Sequence, residues 1–511
     1  MLRRGKCRAS AVAPGRSPPG RHWLVAASAP CAPRDLTFSE ALLPILAGTL
    51  VLGLSFVLFG NAATDGPLQT AIIGAAAGAM LIGRRAGHDL AALRDAALGG
   101  VTGGFGTIAV LFAVGALLGT WAMSGTLLAF GYYLLQVVSA EYFYVKAALI
   151  TAVVGFTITS AWTAASTIGI CLVGIAQQIG LDPAITAGAV VSGAYFGDKA
   201  SPRSSKTELA IRAVGVDRME HAREALWTSL PAFLLALAGF WWLGDAGLRE
   251  PMQIVAVIDV ELHIRPLLLL PLALVLLLAV IGLPPFANML AGALAGGLVA
   301  VVLEPERVIA FAGGEGLGPS LALLKGVWRA MATGFVSTTG APGIDDFLTR
   351  GGMAYTLETI WLIAAALAFG GVVERIGLLH RLVQPIAAAA RSPGALVTTV
   401  VGAGIATNAL TADQSTGIGL TERMLKPSFA ARGIAPVVLS RATADSATVT
   451  SALIPWSSCG AYLAAALGIA TFAYAPYALF NLASPLVTML FAWAGIRMLR
   501  TDRRARPAAR P

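Results

Sequence analysis

The residues able to do chemistry are few, and they stand in or beside long apolar runs. Asp198 and Lys199 sit side by side in "GAYFGDKASP", Asp413 lies in "TADQ", Asp445 in "ADSATVTS" and Glu374 in "GGVVER". An ionisable side chain within a bilayer costs about 2.5–3.5 kcal/mol on insertion scales, so each one marks a candidate functional position. A carboxylate there has two uses. Burial favours its neutral form, so it can hold a proton. Ionised, it helps a hard cation exchange water for carboxylate, hydroxyl and carbonyl oxygens, as carbonyls freed at broken helices do. A site taking either a proton or a cation gives obligatory exchange. Asp198, Asp413 and Asp445 are the expected carriers of cation and proton. Ser160, Thr163, Asn408, Thr411, Thr448, Ser451 and Ser457, in or beside the same polar segments, are the candidate supporting oxygen ligands. Lys199 is expected to neutralise Asp198 when no cation is bound. Glu374, followed by Arg375, reads as a charge near a helix end, and Asp345 and Asp346 as part of a solvated loop.

The elements that must position these groups are membrane helices. Of 511 residues, 57% are hydrophobic and 12% charged, with a mean hydropathy of +0.75; a soluble protein carries about 25% charged residues. The apolar residues fall in runs such as Ala41 to Gly60, Pro67 to Gly83, Ala225 to Gly244, Pro266 to Gly282 and Tyr477 to Ile496, each within the roughly 17–25 residues that span a bilayer. The chain therefore reads as an all-α polytopic membrane protein of about 10–13 transmembrane segments, counting broken helices.

The net charge of +9 comes from short basic segments: Arg84, Arg85 and Arg94; Arg203, Lys206, Arg212, Arg218 and Arg223; Arg503, Arg504, Arg506 and Arg510. This distribution fits cytoplasmic loops and cytoplasmic termini and argues against nucleic acid as a partner. The Asn61 to Gly66 turn has no Lys or Arg and is expected to face outward. There is no HExxH or P-loop motif, the five histidines are scattered, and the four cysteines lack metal-ligand spacing. An enzyme, a cofactor and an ATP-driven pump are disfavoured, leaving an ion gradient as the energy source. Residues 1–36 are rich in Arg, Pro, Gly and Ser, with no acid before Asp35; they read as a disordered cytoplasmic extension, and 500–511 as a basic tail.

Internal similarity divides the rest. "TSAWTAASTIGICL" from Thr159 matches "TNALTADQSTGIGL" from Thr407 at seven of fourteen positions. Asp198 and Asp445 follow at similar distances, which pairs them, while Asp413 stands opposite Ala165. Upstream, Gly119 and Gly125 align with Gly371 and Gly377. Two repeats, 37–245 and 246–499, are expected, with inverted topology and a midplane site. Pro455 should break its helix.

The strings "SAWTAASTIGI", "GAYFGDKASP", "TNALTADQSTGIGL", "LAFGGVVERIGLL" and "ADSATVTSALIPWSSCGAYLAAALG" resemble the NhaC family of sodium/proton antiporters, in order, from Leu43 to Leu499. The resemblance implies two inverted repeats with helical hairpins and electrochemically coupled exchange of Na+ for H+ in a bacterial inner membrane. Some relatives couple these ions to organic anions such as malate and lactate. Such an exchanger is the alternative, with Arg441 or Lys199 receiving a carboxylate; a channel or membrane enzyme ranks below it. Ser205, followed by Lys206, replaces an expected acid, and Ala444 stands where Glu is frequent. A homodimer is left open.

Overall fold

The computed structural model describes residues 34–137, 141–244, 265–313, 316–338, 340 and 342–501. The extension before Arg34 and the tail after Thr501 lie outside the described residues. The described backbone is helical almost throughout, and its β pairing is confined to two isolated bridges, Phe335–Arg350 and Ile434–Arg500.

Among the described residues, six helical segments are long and apolar enough to cross a membrane, or seven if the bent pair Ser458–Leu467 and Thr471–Tyr477 is one span. The expected ten to thirteen included shorter pieces. Three further apolar helices, Phe143–Ile158, Pro266–Ile281 and Leu479–Trp493, are too short to pass alone, and others end at internal breaks. Large apolar side chains cover the outer faces: Val57 and Trp242 are each 82% exposed. A patch-free aqueous surface would not carry this; a lipid-facing one does. Pro342–Leu348 forms a short helix where a loop was expected, and Asp345 accepts from Ser337 Oγ at 2.7 Å and from the Gly340 amide at 3.0 Å.

Two helix breaks share one construction. Phe143–Ile158 ends at Thr159, in the left-handed region (φ 62°), and Ser160 then caps the next helix, its Oγ accepting the Thr163 amide at 3.2 Å. Pro393–Thr411 ends at Ala412 (φ 56°), and Asp413 caps Gln414–Ala431, accepting the Thr416 amide at 2.7 Å. The left-handed conformation costs a non-glycine residue roughly 1–2 kcal/mol; here it ends one helix directly before the cap of the next.

One set of caps and helix ends recurs at a constant spacing. Ser160 and Asp413, the helix-opening Pro183 and Pro436, the caps Ser204 and Ser457, and the left-handed helix ends Gly215 and Gly468 are each 253 positions apart. At this spacing Asp198 falls opposite Ser451 and Asp445 opposite Ser192. On this spacing the two aspartates do not stand opposite each other, and Asp413 stands opposite Ser160 rather than Ala165. The spacing of the sequence match differs from that of the caps by five residues, since Ala/Gly/Thr-rich helices resemble each other at several registers. Upstream, the pairing of Gly125 with Gly377 coincides with two left-handed positions (φ 76° and 69°), each followed by a 12-residue helix, Thr126–Val137 and Leu378–Ala389.

The glycines of "GAYFG" serve close packing, in an uninterrupted helix, Pro183–Ala200. A Cβ on Gly193 would stand 2.0 Å from the Ala148 carbonyl oxygen, and one on Gly197 2.2 Å from that of Ala152. Small residues four apart let two helix backbones meet, and this contact holds Pro183–Ala200 against Phe143–Ile158.

Candidate functional site

Asp445 lies in a π-helical turn, Ala444–Thr448, that continues Pro436–Thr443, and it is fully buried. Its Oδ1 pairs with the ammonium of Lys199, itself buried, and accepts from Ser484 Oγ at 2.9 Å. Its Oδ2 accepts from Thr228 Oγ1 at 2.7 Å. Lys199 also donates to Ser484 Oγ at 3.1 Å, and Phe480 lies 5.7 Å from the ammonium. Three segments of the chain converge on a carboxylate borne by a fourth. Lys199 thus neutralises Asp445 and not its neighbour Asp198: successive residues on a helix point about 100° apart, and these two face different spaces.

Polar contacts continue along the same helix pair. One turn from Asp445 and Thr228, the buried Arg441 meets Glu224 at 3.3 Å and the Arg497 carbonyl at 3.3 Å, while Arg497 pairs with the same Glu224. Beside this rung, Ser440 Oγ lies 2.6 Å from His221 Nδ1. Lys199 and Arg441, the expected receivers of an organic carboxylate, are each engaged by a carboxylate of the protein.

Past the π-turn the helix loses its regular ladder, and a 3-10 turn, Ser451–Leu453, leads to Pro455. Three consecutive carbonyls near this break are taken by side-chain amides: Ala447 by Asn408 at 2.6 Å, Thr448 by Gln414 at 2.6 Å and Val449 by Asn481 at 2.8 Å. Ser451 Oγ adds a second donor to the Thr448 carbonyl at 2.9 Å, and Ser457 Oγ donates to the Ser451 carbonyl while capping Gly460 at 3.1 Å. Asn408, Thr448, Ser451 and Ser457 therefore build the break; Thr411 Oγ1 returns to its own helix at the Thr407 carbonyl, 2.9 Å away.

The remaining candidates gather on a cavity of about 650 Å³. Ser160, Thr163, Asp198 and Asp413 line it, together with Asn288 and Gln414. Asp198 Oδ1, Asn288 Oδ1 and Gln414 Oε1 are buried oxygens without a hydrogen-bond partner among the described residues, an acceptor-rich wall suited to a cation. Arg203, Ser205 and Lys206 also line this cavity. Asp413 is shared with a second cavity of about 660 Å³, which Glu374 also borders. Glu374 is nearly half-exposed and pairs with Arg423 at 3.6 Å.

Sequence reasoning did not single out Thr228, Ser484, Gln414 or Asn481. It also passed over Glu422, which is fully buried with neither carboxylate oxygen partnered among the described residues.

A sequence profile described as the Na+/H+ antiporter family matches residues 193–496. The chain is 33% identical over 409 residues to the Na(+)/H(+) antiporter NhaC of Alkalihalophilus pseudofirmus, covering 79% of this chain and 85% of that one. It is 32% identical over 472 residues to an uncharacterized Na(+)/H(+) antiporter of Haemophilus influenzae, covering 90% and 96%. It is 29% identical over 462 residues to the malate-2H(+)/Na(+)-lactate antiporter of Bacillus subtilis, covering 88% and 93%.

Proposed function

The chain belongs to the Na+/H+ antiporter family, and we propose that it exchanges Na+ for H+ across a bacterial inner membrane, with Asp445 and Lys199 as the exchange pair. The observation that carries this reading is a fully buried carboxylate held at once by an ammonium and two hydroxyls. With no Na+ bound, the Lys199 ammonium offsets the Asp445 charge. Na+ arriving at the same carboxylate takes the hydroxyl oxygens of Thr228 and Ser484 as further ligands, each hydroxyl turning its hydrogen away. One buried carboxylate does not offset two cations, so the displaced ammonium gives up its proton as Na+ binds. The reverse step returns a proton to Lys199 and releases Na+. The two ions share one place and cannot occupy it together, which makes the exchange obligatory.

Asp198 and Asp413 hold the cation in the cavity on its way to this pair, with Ser160 and Thr163 beside them. Because Asp198 precedes Lys199 in one helix, the cavity wall and the exchange pair are a helix width apart. The segments 37–245 and 246–499 act as inverted repeats whose relative rocking opens the site to each side in turn. No cofactor is required. An organic-anion exchanger is the weaker reading, since Lys199 and Arg441 already have carboxylate partners.

In proteoliposomes with an imposed pH gradient, Asp445→Asn and Asp413→Asn are each expected to abolish Na+-dependent dequenching of a pH probe. Asn caps a helix about as well as Asp, so Asp413→Asn isolates the charge. Undiminished exchange in either variant removes that residue from the mechanism. Labelled Na+ should enter faster when the far side is loaded with Na+; an unaccelerated rate would mark a channel.

A further inference from the structure

We propose that Glu422 is a second proton-binding site, coupled to the helix break that carries Asp445. The inference rests on the antiport reading above. Glu422 is fully buried in Gln414–Ala431, and neither of its carboxylate oxygens has a partner among the described residues. Gln414, Ile418, Glu422 and Lys426 follow one another at intervals of four and so share one stripe of the helix. The stripe is anchored at each end. Gln414 donates to the Thr448 carbonyl at 2.6 Å, and Ile418 clusters with Ala210 and Ala447. Lys426, exposed, donates to the Ala213 carbonyl at 3.2 Å, at the end of the Ser205–Val214 helix. Glu422 therefore lies between the broken helix and the water-facing end of the stripe, on the side of the basic segment Arg203 to Arg223.

Lys426, one turn on, is the charge that acts on Glu422 through space, without a hydrogen bond to it; the others near it are engaged elsewhere. Lys426 reaches Ala213, Lys206 sits 5.9 Å from the Trp162 ring, and Glu208 pairs with Arg212 and Arg218. Arg423 pairs with Glu374, Arg441 with Glu224 and Asp445 with Lys199. His380 and Arg381, on the packed Leu378–Ala389 helix, are exposed. A buried ionised carboxylate with no hydrogen-bonded counter-ion or donor is unstable, so the group carries its proton. A shift of Ser205–Val214 that opens the stripe to water lets that proton leave, and the Gln414–Thr448 contact ties the shift to the exchange site. The proton moves on and off a carboxyl oxygen; no other bond changes.

The test uses the full-length protein in proteoliposomes. The H+/Na+ ratio is read from the Na+ gradient that just balances an imposed pH gradient. Glu422→Gln imitates the protonated group and is expected to keep Na+/Na+ counterflow while moving one proton fewer per Na+. An unchanged ratio overturns the proposal. Independently of any variant, a hydrophobic carbodiimide should modify Glu422 of the wild-type protein, and less as pH is raised, by mass spectrometry of the peptide. If Glu422→Gln does not fold, this labelling decides, and a peptide unmodified at low pH overturns the proposal. Absence of Na+/Na+ counterflow in the wild type would instead remove the antiport reading, leaving the labelling to judge Glu422.

Discussion

Asp445 and Lys199 are an ion pair out of reach of water, and that governs what their replacement does. Removing one partner of a buried pair typically costs about 3–5 kcal/mol, because the other charge is left uncompensated, whereas replacing both is often close to neutral. Asp445→Asn and Lys199→Met are each expected to lower stability by about that amount, measured by thermal unfolding in detergent. The double variant should recover most of the loss, yet transport should be absent in all three. A double variant as unstable as the worse single one would show that the pair is not the unit the geometry describes. Much of this residue scale was legible in the sequence, because a charge in an apolar run announces itself by its cost. Asp198, Asp413, Asp445 and Lys199 stand out in the sequence on that ground. The pairing was not legible: Lys199 and Asp445 are 246 positions apart, and adjacency suggested Asp198 instead. Thr228 in "LWTSLPAF" and Ser484 in "NLASPLV" look like ordinary helix contacts until the fold sets them against a carboxylate. Glu422 escaped because Arg423 and Lys426 around it make the segment look solvated.

Breaks make up the element scale. Pro455 and the hydroxyl-rich strings pointed to an interrupted helix, and the interruption lies within that region. Which residues stabilise it depended on the fold, since a carbonyl freed by a break does not name its donor. An unsatisfied buried carbonyl costs roughly 1–3 kcal/mol. The Thr448 carbonyl has two donors, Gln414 and Ser451, whereas the Ala447 carbonyl is held by the Asn408 side chain. Asn408→Leu is therefore expected to destabilise more than Gln414→Leu, by thermal unfolding in detergent. The reverse order would mean that Ser451 is not an effective second donor. Gly417 has a related part: a Cβ there would stand 2.1 Å from Asn408 Oδ1, so the glycine leaves room for the amide that holds the break.

At the scale of the whole molecule, the 253-residue spacing joins segments of opposite electrostatic character. The stretch from Ser204 to Asp217 carries Lys206, Arg212, Glu208 and Asp217, with Arg203 and Arg218 on either side. Its counterpart, Ser457 to Ala470, has no Lys, Arg, Asp or Glu, nor does the chain onward to Ile496. Lys and Arg are retained on the cytoplasmic side, so matched positions with such different charge are expected on opposite faces of the membrane, as inverted repeats require. In a background with the native cysteines replaced, Met219→Cys should react with a membrane-impermeant maleimide in inside-out vesicles and not in intact cells. Phe472→Cys should show the opposite pattern. Both positions are exposed, at 52% and 45%, and each lies in the first turn of its helix, next to Arg218 and Thr471. Labelling of both from the same side would leave the repeats parallel. The rocking motion that exposes Asp445 to each side in turn would then lose its geometric basis.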